Sequence, residues 1–171
     1  SAHCNCAREL FDRQRIGYGG TVNGNNEYVF VGKMGMGNIG DAEAFAMSMD
    51  STGTVVNWSN TYSRNSGEGS AHSIRHDASG GYIIGGCMGN YYPAIMKIDN
   101  AGNRLWDKYY SDVTFSPKGF GNCTIEDANH QYITTGYSIA PSTTDTSIIL
   151  IKSDSTGGTL CNSFGSFSTG N

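Results

Sequence analysis

Apolar and polar positions recur along the chain in one register, three times over. An apolar run led by Tyr and closed by Gly stands at Tyr28-Val29-Phe30-Val31-Gly32, Tyr82-Ile83-Ile84-Gly85-Gly86 and Tyr132-Ile133-Thr134-Thr135-Gly136. A second run follows each: Ala46-Met47-Ser48-Met49-Asp50, Ile95-Met96-Lys97-Ile98-Asp99 and Leu150-Ile151-Lys152-Ser153-Asp154. Short apolar runs bounded by turn residues read as β-strands. Each second run ends in a D-x-x-G turn: Asp50 to Gly53, Asp99 to Gly102 and Asp154 to Gly157. There Asp caps a type I turn and Gly supplies the positive φ that admits the chain to the next strand. That next strand carries Trp58 or Trp106, with Cys161 in the same place in the third copy. A further short strand is expected ahead of each Tyr, near Gly20–Asn23, Ser73–Asp77 and Cys123–Asp127. The unit is therefore four strands in about 50 residues, a period that signals a repeat architecture.

These spacings predict an all-β fold of three four-stranded units: residues 17–66, 67–116 and 117–171, after a tail at 1–9. Between tail and first unit, Leu10-Phe11-Asp12-Arg13 matches Leu105-Trp106-Asp107-Lys108 in residue class. Residues 10–16 thus read as an orphan last strand, with a short helix over Ala7–Gln14 as the competing expectation.

Composition agrees with many tight turns, since 24 of the 171 residues are Gly and only 15% are charged. A helical bundle would need more Ala, Leu, Glu and Lys. The net charge of −4 offers no basic stripe for a phosphate backbone, so nucleic acid is not an expected partner. No stretch approaches the roughly 20 apolar residues of a membrane helix, and no span is expected. A Ser, Thr and Asn-rich surface with few Lys points to the cell exterior, where disulfides persist. Five cysteines lack the paired spacing of a zinc site. The sequons at Asn57 and Asn122 are candidate glycan acceptors.

The repeated residues resemble the β-propeller-type repeats of bacterial and archaeal surface and secreted proteins. The best copy runs Gly80-Gly81-Tyr82-Ile83-Ile84-Gly85-Gly86, then Met96-Lys97-Ile98-Asp99-Asn100-Ala101-Gly102, then Leu105-Trp106. The resemblance covers most of Leu10–Phe167. It implies four-stranded blades around an axis and no shared catalytic residue. Closed propellers have four to eight blades, so three blades and a strand leave apolar faces to be covered. Two chains closing a six-bladed ring, a longer polypeptide, or an open stack that accepts a donated strand would each cover them. Cys161 ends the last unit while Cys4 and Cys6 precede the orphan strand, which makes these three the candidates for a closing disulfide.

Candidate chemistry is sparse. His72 and His76 are four apart, a span of roughly 13 Å on a strand, too far for one ion. Ser1-Ala2-His3 could wrap Cu(II) or Ni(II) through its amine, amides and His3 if Ser1 were the true terminus. There is no G-x-S-x-G elbow and no phosphate loop. Carboxylate pairs suited to glycoside hydrolysis stand at Asp41 with Glu43 and at Glu126 with Asp127. Aromatics lead for binding, with Tyr91 and Tyr92 placed in the middle unit's second loop and Tyr109 and Tyr110 at its last strand. The corresponding loops of the outer units carry Asp41 with Glu43, and Asp145.

The expectation is a non-enzymatic structural or adhesive protein without a cofactor, a homo-oligomer or filament that makes contacts through blade loops and faces. The alternative is a sugar-binding propeller or a glycan-processing enzyme, with a glycan as partner.

Overall fold

A computed structural model describes residues 14–35, 42–63, 68–89, 91–110, 118–139 and 146–161. They form twelve strands in three antiparallel four-stranded sheets. Sheet one holds β1 (Gln14–Val22), β2 (Tyr28–Gly35), β3 (Glu43–Met49) and β4 (Val56–Tyr62) in chain order. Sheet two holds β5 (Ser70–His76), β6 (Tyr82–Met88), β7 (Tyr92–Ile98) and β8 (Arg104–Tyr109). Sheet three holds β9 (Lys118–Glu126), β10 (Tyr132–Ile139), β11 (Thr146–Ser153) and β12 (Thr159–Cys161). The all-β, three-unit expectation holds at this level.

Each first strand packs on the preceding sheet: β5 lies against β1, β2 and β3, and β9 against β5, β6 and β7. The middle sheet is therefore covered on both faces, and every residue of β6 is buried. This is why Tyr82–Met88 lacks the apolar–polar alternation of a half-exposed strand. One face of sheet two joins Val29, Val31, Ala44 and Ala46 to Ile74, Ile84, Met96 and Ile98 in the larger core. The other face packs Ile83 and Ile95 on Tyr132, flanked by Trp106 and Tyr110.

The D-x-x-G glycines take positive φ, +70° at Gly53 and +80° at Gly102 and Gly157. In each turn the aspartate carboxylate accepts backbone N–H bonds, as from Ala101 and Asn103 onto Asp99 Oδ1. Hydrogen bonds within their own turns hold Asp50, Asp99 and Asp154 below the usual carboxylate range, led by Thr52, Asn103 and Thr156 respectively.

Four expectations are corrected. First, β1, β5 and β9 begin well before the positions expected for them, because their opening halves are too rich in Gly and polar residues to show an apolar period. Second, Gln14, Arg15 and Ile16 pair with Gly35, Met34 and Lys33 as part of β1. They belong to the first unit's opening strand rather than to an orphan strand, and Gln14 is extended rather than helical; Leu10–Arg13 lie outside the described residues. Third, Tyr92 lies on β7, paired with Met88, rather than in a loop. Fourth, Glu43 lies on β3, paired with Met34.

Each first strand also carries a β-bulge where pairing skips one residue: Tyr18 in β1, His72 in β5 and Asn122 in β9. Opposite each bulge stands the glycine that closes a Tyr-led run. A side chain at Gly32, Gly86 or Gly136 would run into the carbonyl oxygen of Ile16, Ser70 or Phe120. The repeated glycine is thus required by the bulge, which crowds the neighbouring backbone.

Candidate functional site

The three bulges turn their extra residues toward one another along the edge where β1, β5 and β9 meet. The Tyr18 and His72 rings lie 4.8 Å apart, and His72 Nδ1 is 3.2 Å from Asn122 Oδ1. Because a carbonyl oxygen only accepts, Nδ1 carries the proton and Nε2 is free to accept. Nε2 lies 2.7 Å from Ser70 Oγ, so the Ser70 hydroxyl donates to it. Ser70 Oγ in turn is 3.1 Å from Cys87 Sγ and accepts from the thiol. The result is one directed chain: Cys87 thiol to Ser70 hydroxyl to His72 ring to Asn122 amide.

Burial lowers the His72 pKa below its usual 6.5, Asn122 opposes the shift, and the Lys33 charge adds to it. The ring is thus neutral at pH 7. Burial also raises the Cys87 thiol, with Ser70 opposing, so the sulfur stays protonated.

A cavity of about 290 Å³ opens beside this chain, lined by Tyr18, Lys33, Glu68, Ser70, His72 and Phe120, with Tyr91 and Tyr137 completing the aromatic wall. Phe120 stacks on His72 at 5.6 Å and on Tyr137 at 5.2 Å. Lys33 lies 3.7 Å from Glu68 across the wall, which leaves the lining near electrical neutrality. Tyr91 takes φ +71°, a left-handed conformation unusual for a bulky side chain. Its carbonyl accepts from Gly119 N–H, and its ring meets Phe120 at 5.5 Å. Strain of this kind collects at functional sites.

The other expected site residues do not join this cluster. Tyr92 and Tyr109 pair with each other, ring to ring at 5.9 Å. Tyr110 donates to Gly157 O at 3.1 Å, between sheets two and three. Glu43 is half-buried at the start of β3. Asn57 donates to Glu27 Oε1 at 2.9 Å, and Asn122 occupies the bulge just described. The carboxylates of Glu126 and Asp127 are already engaged, Glu126 with His130 at 2.7 Å and the Ala78 amide at 2.8 Å, and Asp127 with the Asn129 and Gln131 amides and with Lys152. His3, Cys4, Cys6, Asp41, Asp145 and the side chain of Cys161 lie outside the described residues. Cys87 and Cys123 are free thiols.

A second set of features joins one sheet to the next, and it occurs twice. In the first joint, Trp58 of β4 lies over Gly102, and Tyr62 donates to Gly102 O at 2.7 Å. In the second, Trp106 of β8 lies over Gly157, and Tyr110 donates to Gly157 O. The motif tyrosines close the other side. Tyr82 accepts from Asn23 Nδ2 at 3.3 Å, and Tyr132 donates to Asp77 Oδ2. Asn23 and Asp77 are equivalent residues, each opening the first turn of its unit.

Asp77 also binds Lys97 at 2.7 Å, with both side chains at least nine-tenths buried. Burial raises the Asp77 pKa, but Lys97, Ser79 and Tyr132 outweigh it and the net shift is downward. Burial, reinforced by the Asp77 hydrogen bond, pushes Tyr132 upward.

These features define an all-β repeat protein built from three copies of one joinable sheet. No protein-family model matches the chain, and no curated protein matches it.

Proposed function

We propose that this is a structural, adhesive-type protein of the cell exterior whose propeller-like blades assemble head to tail, copy to copy. The observation that carries the proposal is the inequality between joints and ends. Tyr82 and Tyr132 are buried to within 1% at the joints, whereas their equivalent Tyr28 is 39% exposed at the head of sheet one. Ile95 and Ala46 are fully buried, whereas their equivalent Leu150 is 50% exposed at the tail of sheet three, beside Ile148 at 59%. The tail also carries Lys152 3.5 Å from Asp127, the counterpart of the Lys97–Asp77 pair.

Head and tail are thus the two halves of a joint that the molecule already makes twice. A second copy supplies the matching half: Tyr28 of one chain donates to Asp127 of the next, and Phe30 packs on Leu150 and Ile148. Unlike surfaces that meet in this way give a heterologous contact, which closes into a ring or runs on as a filament. The Ser, Thr and Asn-rich composition supports the exterior setting.

The test uses light scattering on three samples. The unaltered chain should exceed 18.3 kDa, as a closed ring or a polydisperse series. A head variant, Tyr28→Asp with Phe30→Asp, and a tail variant, Leu150→Asp, should each be monomeric alone. Mixed, they should form a pair of one to one, since each retains one intact half. A monomeric unaltered chain overturns assembly, and variants that fail to pair on mixing overturn the head-to-tail geometry.

A further inference from the structure

We propose that Ser70, His72 and Asn122 form a nucleophile–base–orienter set that acylates Ser70 from small, uncharged esters in the adjoining cavity. This site is independent of the assembly reading, since it lies at the meeting edge of β1, β5 and β9 rather than on the head or tail face. The geometry has the two hydrogen bonds such a set needs: nucleophile to base at 2.7 Å and base to orienter at 3.2 Å. Asn122 holds the ring with its proton on Nδ1, which leaves Nε2 basic toward the Ser70 hydroxyl. Such sets are recognised by geometry and roles, and Asn serves as the third member in the Cys-His-Asn set of papain-like proteases.

Two further observations point to reaction rather than packing. The backbone device that delivers Tyr18, His72 and Asn122 is the same in all three sheets, yet the side chains differ, and bulges of this kind re-aim side chains at functional sites. The cavity beside Ser70 is walled by Phe120, Tyr137 and the strained Tyr91, and among its described lining residues Lys33 is the single cation. At about 290 Å³ it lies at the small end of ligand cavities, which suits a short acyl group. The paired Lys33 and Glu68 disfavour either sign of net charge on the substrate.

In the step, Ser70 Oγ bonds to the ester carbonyl carbon while its proton passes to His72 Nε2. The carbon–oxygen bond to the leaving alcohol breaks, and His72 returns the proton to that alcohol. Water then cleaves the acyl-serine, with His72 again taking a proton, and releases the acid. Lys33 supplies the positive charge on the cavity wall as negative charge grows on the carbonyl oxygen. Asn122 is a positioning residue that acts through the ring.

The test is an alkyl fluorophosphonate, with which Ser70 Oγ forms a phosphorus–oxygen bond as fluoride leaves. Intact-protein and peptide mass spectrometry should place a single adduct on Ser70 in the folded chain and none in urea. His72→Gln, close in size and polar, should slow labelling at least about 100-fold, the usual contribution of a general base. Asn122→Ala should slow labelling less and should also shift its pH profile, which a merely structural change would not do. The labelling rate of the unaltered chain should be half-maximal below pH 6.5, because burial holds the His72 pKa under that value. p-Nitrophenyl acetate should release p-nitrophenol with the same variant pattern. An absent adduct, an adduct on another residue, or a rate indifferent to His72→Gln overturns the proposal. The far-ultraviolet circular dichroism of each variant must match the unaltered chain, and Leu150→Asp, on the tail face away from this cavity, should retain the adduct.

Discussion

The two joints share a clasp and differ in what fills it. Between sheets one and two the fill is apolar: Val29, Val31, Ala44 and Ala46 meet Ile74, Ile84, Met96 and Ile98, and Asn23 is the polar tie to the motif tyrosine among the described residues. Between sheets two and three the apolar part shrinks to Ile83, Ile95 and Tyr132, and a buried Asp77–Lys97 pair with Ser79 and Tyr132 takes the remaining space. The same backbone arrangement therefore accepts either a hydrocarbon seam or an ionic network. A hydrocarbon seam is non-directional and tolerant. A buried pair contributes only while it is complete, and breaking it leaves one charge uncompensated.

That contrast sets the size of several expected effects. Lys97→Ala strands Asp77 in the second joint and should cost about 3–5 kcal/mol in urea unfolding. Its counterpart Ser48→Ala in the first joint should cost about 1 kcal/mol. Asp77→Asn combined with Lys97→Ser copies the first joint's residues into the second and should recover most of the Lys97→Ala loss. Failure to recover would mean that the second joint depends on charge and not on polar satisfaction.

Ile84→Ala opens a cavity in the hydrocarbon seam and should cost about 2–5 kcal/mol. Its loss should be insensitive to salt and pH. Tyr62→Phe and Tyr110→Phe each remove one hydrogen bond to a turn carbonyl and should cost about 0.5–1.5 kcal/mol. Tyr62 should lie at the upper end, because its bond is the shorter and the more buried.

Acid should separate the joints more subtly. Asp77 has its folded pKa below the unfolded value of 3.8. Its contribution is therefore complete above 3.8 and is lost as the pH falls through the folded value. Hydrogen exchange followed downward from pH 5 should show β9 and β10 amides losing protection before those of β2 and β3. The turn aspartates Asp50, Asp99 and Asp154 shift in the same direction. They lie in surface turns, half-buried, one in every sheet, so their effect should be the smallest and the same throughout.

Much of the fold was legible because its signals are local. The Tyr-led runs, the D-x-x-G turns and Trp58 with Trp106 all stand in the roles their spacing implied. The joints also have a signal in their spacing: Tyr62 and Tyr110 each follow a Trp by four residues, and Asn23, Asp77 and Asp127 each precede a motif Tyr by five. The bulges had almost none. Their segments, Gly17-Tyr18-Gly19, Ala71-His72-Ser73 and Gly121-Asn122-Cys123, show no period, because a strand that skips a residue breaks the alternation by which strands are read. The aromatic pairs were half legible. Tyr91 and Tyr92 adjoin in the chain, yet the positive φ at Tyr91 sends its ring to the Phe120 wall while Tyr92 turns to Tyr109.

By itself the sequence determined the repeating unit, its strand count and its turns, since a capping carboxylate and a glycine of positive φ act within a few residues. Only the tertiary structure decided which copies of a residue are buried, because Tyr28, Tyr82 and Tyr132 are alike in sequence and, among the described residues, a preceding sheet packs on Tyr82 and Tyr132 but not on Tyr28. It alone brought Ser70 and His72 to Asn122, a partner 50 residues along the chain from His72, by stacking one bulged strand on the next. Contacts between sheets depend on how apolar faces stack, and no single unit carries that information.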